Sequence, residues 1–451
     1  MVYTFEKVVY RHKYFGEYMY IKRDDYLNRL IGKMNNGLVK VITGVRRSGK
    51  SFILFNIFYD YLKEQGIDDE HIIKLALDTE QNAIFRNPIK LGEYLSSKII
   101  DGDRYYILLD EVQFVIPVLN PAFKNSGLSR SDIPKVTLFD VLNGMMNKNA
   151  DIYITGSNSK MLSKDLVTEF RGRDDQVLVM PLSFKEYYGY VGGDKDDALD
   201  EYIVFGGMPR TLGLASRKDK IDYLDRLFSE TYIKDIASRY KIDREDVLSD
   251  IINILCSSVG SLTSINKLRN TLNSIKKCNI THERIQKYID YIVDSMLFGR
   301  AVQYSIKGKR YIDSTIKYYA VDTGLRNARL NFRQIEETHL MENIIYNELI
   351  HRGYSVDVGI VELYGKENTK TVRNTYEIDF IAYDGNEKVY IQSTFALTTD
   401  EKRKQESRPL LNTGDGFRKI IIERNCIASG LYDEDGIKHI SLADFLLNEE
   451  F

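Results

Sequence analysis

Val39-Lys-Val-Ile-Thr43-Gly44-Val-Arg-Arg-Ser-Gly49-Lys50-Ser51-Phe52 is the stretch that decides the fold. Its first five residues are a β-branched run of the kind that fills a buried strand, and Phe52, Leu54, Phe55, Ile57 and Phe58 continue at helical spacing. Between them, from Gly44 to Ser51, stands the pattern GxxxxGK[ST] in the strand, loop and helix setting that it requires. Two glycines let the backbone wrap closely around phosphates, and the helix that follows turns its positive end toward the same charge. The loop Gly44, Val45, Arg46, Arg47, Ser48, Gly49, Lys50, Ser51 with Phe52 is therefore expected to bind ATP. In it Lys50 reaches the β- and γ-phosphates and Ser51 ligates Mg²⁺.

Working outward, Tyr105-Tyr-Ile-Leu-Leu-Asp110-Glu111 reads as an apolar strand that delivers two carboxylates to the C-terminal edge of a parallel sheet. Asp110 is expected in the Mg²⁺ shell and Glu111 as the base that polarises the attacking water, with Gln113 a lesser water-orienting candidate. A third strand, Asp151 to Thr155, runs into Gly156-Ser157-Asn158-Ser159, where Asn158 can report the γ-phosphate. Arg173, and after it Arg171, are candidates to spread positive charge onto the transferring phosphoryl group, from this chain or from a neighbouring copy in a homo-oligomer. ATP is favoured over GTP because no Asn-Lys-x-Asp closes a strand in this region. Arg210, in Phe205-Gly-Gly-Met-Pro-Arg210, is a further phosphate candidate beside a plain turn.

The phrases Thr43 to Ser51, Leu109-Asp-Glu-Val-Gln113, Thr155-Gly-Ser-Asn-Ser-Lys-Met-Leu-Ser163, Thr168-Glu-Phe-Arg-Gly-Arg173 and Pro181-Leu-Ser-Phe-Lys-Glu186 resemble a group of prokaryotic AAA-type P-loop ATPases. That resemblance covers nearly the whole chain. It implies an AAA-like parallel sheet, then a helical winged-helix domain, then an α/β restriction-endonuclease-like domain, at 1–215, 216–330 and 331–451.

The middle of the chain supports that order. Ser264 can cap a helix through Leu268 and Leu272, and Thr281 another through Ile285, Tyr288 and Ile292. A hairpin follows, turning at Lys307-Gly-Lys-Arg310. Helix, turn, helix and hairpin make a winged-helix order, in which Arg284 and Lys287 face the major groove of double-stranded DNA while Lys307, Lys309 and Arg310 meet phosphate. Glu283, Asp290 and Asp294 on the same helix weigh toward a protein-binding use instead.

Beyond them, a helix with Glu342 and Glu348 leads to strands carrying Glu377, Asp379, Gln392 and Thr394. A nuclease of this type needs acidic metal ligands and a lysine, and here Gln392 stands at the place of an acid and Thr394 at that of the lysine. The expectation is a retained fold that has lost its nuclease chemistry, unless Lys402, Arg403 or Lys404 takes the lysine's part.

Composition sets the outer bounds. With 451 residues, 43% of them hydrophobic and 28% charged, the chain is a folded multidomain protein. Cys256, Cys278 and Cys426 stand far apart, which excludes a disulfide scaffold. No apolar run is long enough for a membrane span or leader, so a cytoplasmic location is expected. The net charge of −2 leaves nucleic-acid binding to local basic clusters.

Overall fold

The computed structural model describes residues 13–14, 17–18, 21–156, 174–276, 280–367, 370–427 and 429–448. Its contacts divide the chain into two compact units, Met1–Val179 and Met180–Phe451.

In the first unit, strands β1 (Val39–Thr43), β2 (Ile72–Ala76), β3 (Tyr105–Asp110), β4 (Ala150–Thr155) and β5 (Asp174–Leu178) form one parallel sheet in the order β2-β3-β4-β1-β5. Alternate residues of these strands feed two cores. Val39 and Val41 join Ile107, Leu109, Ile152 and Ile154 beneath helices carrying Leu91, Leu95 and Leu142. Ile42 joins Leu108, Tyr153 and Val177 beneath Tyr26, Leu30, Leu54 and Phe58. Burial on both faces is why β3 reads as a near-continuous apolar run and β1 as a β-branched one broken only by Lys40.

Among the described residues, four helices of this unit pack on the sheet. They are α1 (Asp24–Gly32), α2 (residues 50–64), α3 (Pro88–Lys98) and α4 (Leu138–Met146). Helix α2 runs from Lys50–Phe52 through a wider π-type stretch at Ile53–Phe58 into Tyr59–Glu64. Asn87 and Thr137 accept backbone N–H groups at the starts of α3 and α4, satisfying donors that a helix end otherwise leaves bare.

Lys40 is the exception in the buried strand β1. Its ammonium is fully enclosed, pairs with Asp151 on the neighbouring β4 and lies 4.8 Å from the centre of the Tyr153 ring. The Tyr153 hydroxyl donates to the same carboxylate at 2.8 Å.

The second unit opens with α5 (Phe184–Val191) and α6 (Lys195–Phe205). A long helical rod α7 (residues 217–239), α8 (Glu245–Ser257), the short strand β6 (Leu262–Thr263), α9 (Ile265–Lys276) and α10 (His282–Asp294) follow. Ser264 Oγ accepts the Lys267 N–H at 3.2 Å and Thr281 Oγ1 the Arg284 N–H at 3.3 Å, so both helix starts fall where the caps were read. Next come β7 (Phe298–Ser305), β8 (Arg310–Ala320), α11 (Thr323–Arg329) and α12 (Glu337–His351). The chain ends through β9 (Ser355–Glu367), β10 (Lys370–Tyr383), β11 (Lys388–Thr394), α13 (Asp400–Leu411), β12 (Arg418–Glu423), β13 (Lys438–Ser441) and α14 (Leu442–Leu447).

These strands make a single mixed sheet of eight, ordered β6-β8-β7-β9-β10-β11-β12-β13. The division at Val179 and this shared sheet both differ from a cut at residues 215 and 330. The reasons are contacts between segments far apart in the chain. Strand β7 pairs in parallel with β9, Gln303 opposite Val358, which ties the hairpin into the C-terminal strands. Helix α6 is tied to α11, because the Gly207 N–H donates to Asp322 Oδ2 at 2.7 Å and Asn327 Nδ2 donates to the carbonyls of Ile203 and Val204 at 3.2 and 2.9 Å. The Gly206-Gly207 turn exists for this junction: a Cβ on Gly206 would lie 2.3 Å from the Asp322 carboxylate, and one on Gly207 would lie 2.1 Å from the Leu182 carbonyl oxygen.

Candidate nucleotide site

Parallel pairing brings the C-terminal ends of β1, β3 and β4 together, with Ile42 opposite Thr155 and Leu109 opposite Ile154. In open α/β sheets this is the edge where ligands bind, outside the carboxyl ends of the strands. The loop from Gly44 to Gly49 leaves β1 at this edge and enters α2 at Lys50.

The backbone of that loop explains its residues. Gly44 has φ +145°, and a Cβ there would lie 2.1 Å from the Val179 carbonyl oxygen, so only glycine lets the loop pass beneath β5. Gly49 is left-handed at φ 98° and stands at the helix start, while Arg47, also left-handed at φ 67°, is exposed. Ser48 is fully buried, and its carbonyl accepts from Arg23 Nη1 at 2.8 Å, a clamp from the segment before α1 that the sequence reading missed. Nothing in local spacing ties Arg23 to the loop. Val45 is buried, and Arg46 and Phe52 are half-buried.

Lys50 is buried and its Nζ donates to the Gly44 and Val45 carbonyls at 3.0 and 2.9 Å. Burial pulls its ammonium down to about 8, against the opposing pull of the Glu111 and Asp110 carboxylates. Ser51 Oγ donates to Asp110 Oδ1 at 3.0 Å, which places the two expected Mg²⁺ groups side by side. Asp110 is itself buried, and burial pushes its carboxyl above the usual range although Thr155 and Ser51 hydrogen-bond to its charged form. A hard divalent cation suits such a hydroxyl and carboxylate pair.

Glu111 follows in the left-handed region at φ 53°, a conformation that costs a residue with a side chain on the order of 1 kcal/mol. Its N–H donates to Thr155 Oγ1 at 3.1 Å, so one hydroxyl steadies both carboxylate residues. Gln113 Nε2 donates to the Glu111 carboxylate. The loop thus meets Asp110, Glu111, Gln113 and Thr155 in one place. Asn158, Arg171 and Arg173 lie outside the described residues. Arg210 belongs to the second unit.

Two further groups of sequence candidates fall in that unit. Arg284, Lys287, Lys307, Lys309 and Arg310 are all exposed. Arg284 Nη2 lies 3.6 Å from Asp243 Oδ2, and the Lys287 ammonium lies 5.8 Å from the centre of the Tyr291 ring. Asp379 on β10, two residues after Glu377, meets Gln392 on β11, whose Oε1 accepts the Asp379 N–H at 3.4 Å and whose Nε2 donates to Glu406 at 2.9 Å. Lys402 pairs with Glu406 one turn along α13. The lysine that contacts Glu377 and Asp379 is Lys317 on β8, which no local spacing connects to them.

A parallel sheet in this order, with a phosphate-type loop after its first strand and an Asp-Glu pair at the end of β3, defines a P-loop nucleotide-binding module of the AAA type. Residues 36–188 match the family model described as "AAA domain", and residues 196–336 one described as "Domain of unknown function (DUF8612)". The chain belongs to the same family as an uncharacterized protein of Haemophilus influenzae, 33% identical over 438 residues that cover 95% of this chain and 98% of that one. It is also similar to an uncharacterized protein of Methanocaldococcus jannaschii, 28% identical over 85% of this chain and 81% of that one. Among solved structures, the Aeropyrum pernix ORC1 protein in complex with DNA is 14% identical over 69% of this chain and 93% of its own, with a TM-score of 0.27, too loose a match to carry an inference. No helix among the described residues is long and apolar enough to cross a membrane.

Proposed function

We propose that the protein binds ATP with Mg²⁺ at residues 44–52 and hydrolyses it, and that the nucleotide state is coupled to DNA or protein binding elsewhere in the chain. The observation that carries this reading is the Ser51 to Asp110 contact at 3.0 Å, with Glu111 next in sequence and turned by its unusual backbone. The groups fit the ligand. The loop is pinched where no side chain is tolerated at Gly44, and the buried Ser48 Oγ has no hydrogen-bond partner among the described residues.

Each residue then has a task. Backbone N–H groups of Val45 to Ser51 cradle phosphate oxygens. Lys50 exchanges the Gly44 and Val45 carbonyls for phosphate oxygens, and Ser51 and Asp110 hold Mg²⁺, which supplies charge neutralisation at the phosphates. Glu111 accepts the proton of the attacking water, with its carboxylate positioned by Gln113. Asn158 contacts the γ-phosphate, and Arg173 neutralises the transferring phosphoryl group, in a homo-oligomer if it comes from a neighbouring copy. The exposed Arg284, Lys287, Lys307, Lys309 and Arg310 form the DNA-facing set.

Steady-state ATP hydrolysis tests the reading, using wild type, Lys50→Ala, Glu111→Gln and Arg173→Ala with and without double-stranded DNA over a range of protein concentrations. Lys50→Ala loses nucleotide binding. Glu111→Gln keeps ATP but turns over about 10²- to 10⁴-fold more slowly. A wild type that binds ATP and never hydrolyses it under any of these conditions would overturn the ATPase reading and leave a nucleotide-gated scaffold.

A further inference from the structure

Strand β8 sends one side chain into a place where carboxylates converge from two other elements. Lys317 Nζ lies 2.8 Å from Glu342 Oε1 on α12, and 2.7 Å from Glu377 Oε1 and 3.6 Å from Asp379 Oδ1 on β10. Only 3% of Lys317 is exposed, so this is an enclosed cluster and not a surface ion pair. The Tyr319 hydroxyl donates to the same Glu342 Oε1 at 2.7 Å, and Ser393 donates both its N–H and its O–H to Asp379 Oδ2 at 2.8 Å.

The arrangement is that of a coordinated cation. An ammonium carries three N–H donors and accepts nothing, and here three carboxylates face one ammonium. Spread around the ammonium, the three carboxylates do not stand close enough together to share one metal ion as they are, so a divalent ion would need them to close in on the place Lys317 leaves. The polar neighbours fix the carboxylates from behind, as partners around a metal site do, while the space at the centre is taken. Gly260 backs the Glu342 carboxylate, and a Cβ there would lie 3.1 Å from it.

We propose that Glu342, Glu377 and Asp379 are a cation site whose occupant is the chain's own Lys317 ammonium, and that Lys317 thereby excludes a divalent metal ion from the C-terminal strands. Metal-assisted hydrolysis of a phosphodiester needs an ion on just such carboxylates to activate water and neutralise the leaving oxygen. With an ammonium in that position, the same framework serves binding and not cleavage. Three carboxylates against one ammonium leave surplus negative charge. Burial pushes the Glu342 carboxyl up, with Lys317 opposing the rise and Asp379 adding to it.

The test is Mn²⁺ binding to the full chain without nucleotide, followed by the electron paramagnetic resonance of free Mn²⁺. Wild type and Asp379→Asn bind Mn²⁺ alike, because neither has an open site. Lys317→Met gains one Mn²⁺ per chain, and Lys317→Met with Asp379→Asn loses it again. A Lys317→Met chain that folds only when Mn²⁺ is supplied supports the same conclusion. Folded Lys317→Met that gains no ion would overturn it. So would a wild type that binds an ion lost in Asp379→Asn, or that cleaves DNA in Mn²⁺ in a manner abolished by Asp379→Asn. The wild-type comparison needs no change at Lys317, so it can overturn the proposal even if that variant does not fold.

Discussion

Lys50 rests on the carbonyls of its own loop with its ammonium lowered to about 8 by burial, well below the roughly 10.4 of a free lysine. Phosphate oxygens arriving at Nζ favour the charged form and push that value back up. The sign follows directly: near pH 8 the nucleotide-free protein holds a partly neutral Lys50, and binding takes a proton from solution. Calorimetric titration with ATP in two buffers of different ionisation enthalpy at pH 8 should therefore report about half a proton taken up, falling toward zero at pH 6.5. Lys50→Met should abolish the uptake along with most of the affinity. The loop and the strand end were legible because their spacing along the chain is itself the geometry. Gly44, Gly49, Lys50 and Ser51 belong to one turn, and Asp110 with Glu111 to the end of one strand. Arg23 was invisible for the opposite reason, since its partner Ser48 stands 25 residues away on another element.

Among elements, the junction of α6 with α11 turns on Asp322. Its carboxylate accepts the N–H groups of Gly207 and Leu325 at 2.7 and 2.8 Å, capping α11 while it fastens the glycine turn after α6. Burial raises it to about 6, although these N–H groups pull it down. Because the folded value lies above the unfolded one, near 3.9, this group's contribution to stability is complete below about pH 4 and is lost as pH rises through 6. Urea unfolding from pH 4 to 7 should show wild type losing this increment relative to Asp322→Asn, which cannot titrate. A flat difference between the two proteins would show that Asp322 is not perturbed. The helices and hairpin of this region were legible from their periodicity and from the caps Ser264 and Thr281, which are local signals. The purpose of Gly206-Gly207 was not, nor was Lys317. A strand's sequence tells which face a residue takes, but not which carboxylate stands across the sheet.

At the scale of the molecule, net charge is −2, so any attraction to DNA must come from a small local set of cations. If Lys307, Lys309 and Arg310 at the hairpin turn contact phosphates, each contributes about 0.9 to the slope of log K against log salt. Replacing all three with Ala should flatten that slope by up to about 3, measured by fluorescence anisotropy with a duplex between 50 and 200 mM salt. Weakened binding without a change of slope would remove these residues from the interface. Division of the chain was the least legible feature. Three spans read from motifs meet two compact units, because strand pairing across β7 and β9 and the Asp322 junction are contacts between distant segments.

That pairing has a mechanical side. The parallel rungs between β7 and β9, from Gln303 to Ser305, sit just before the turn, so the hairpin is braced almost to its tip. A free two-stranded arm would flex under load, whereas a rib built into an eight-stranded plate bends only if the plate shears. A pull applied at Lys307 to Arg310 would therefore be shared among the backbone hydrogen bonds of the whole sheet and not taken up by the hairpin alone.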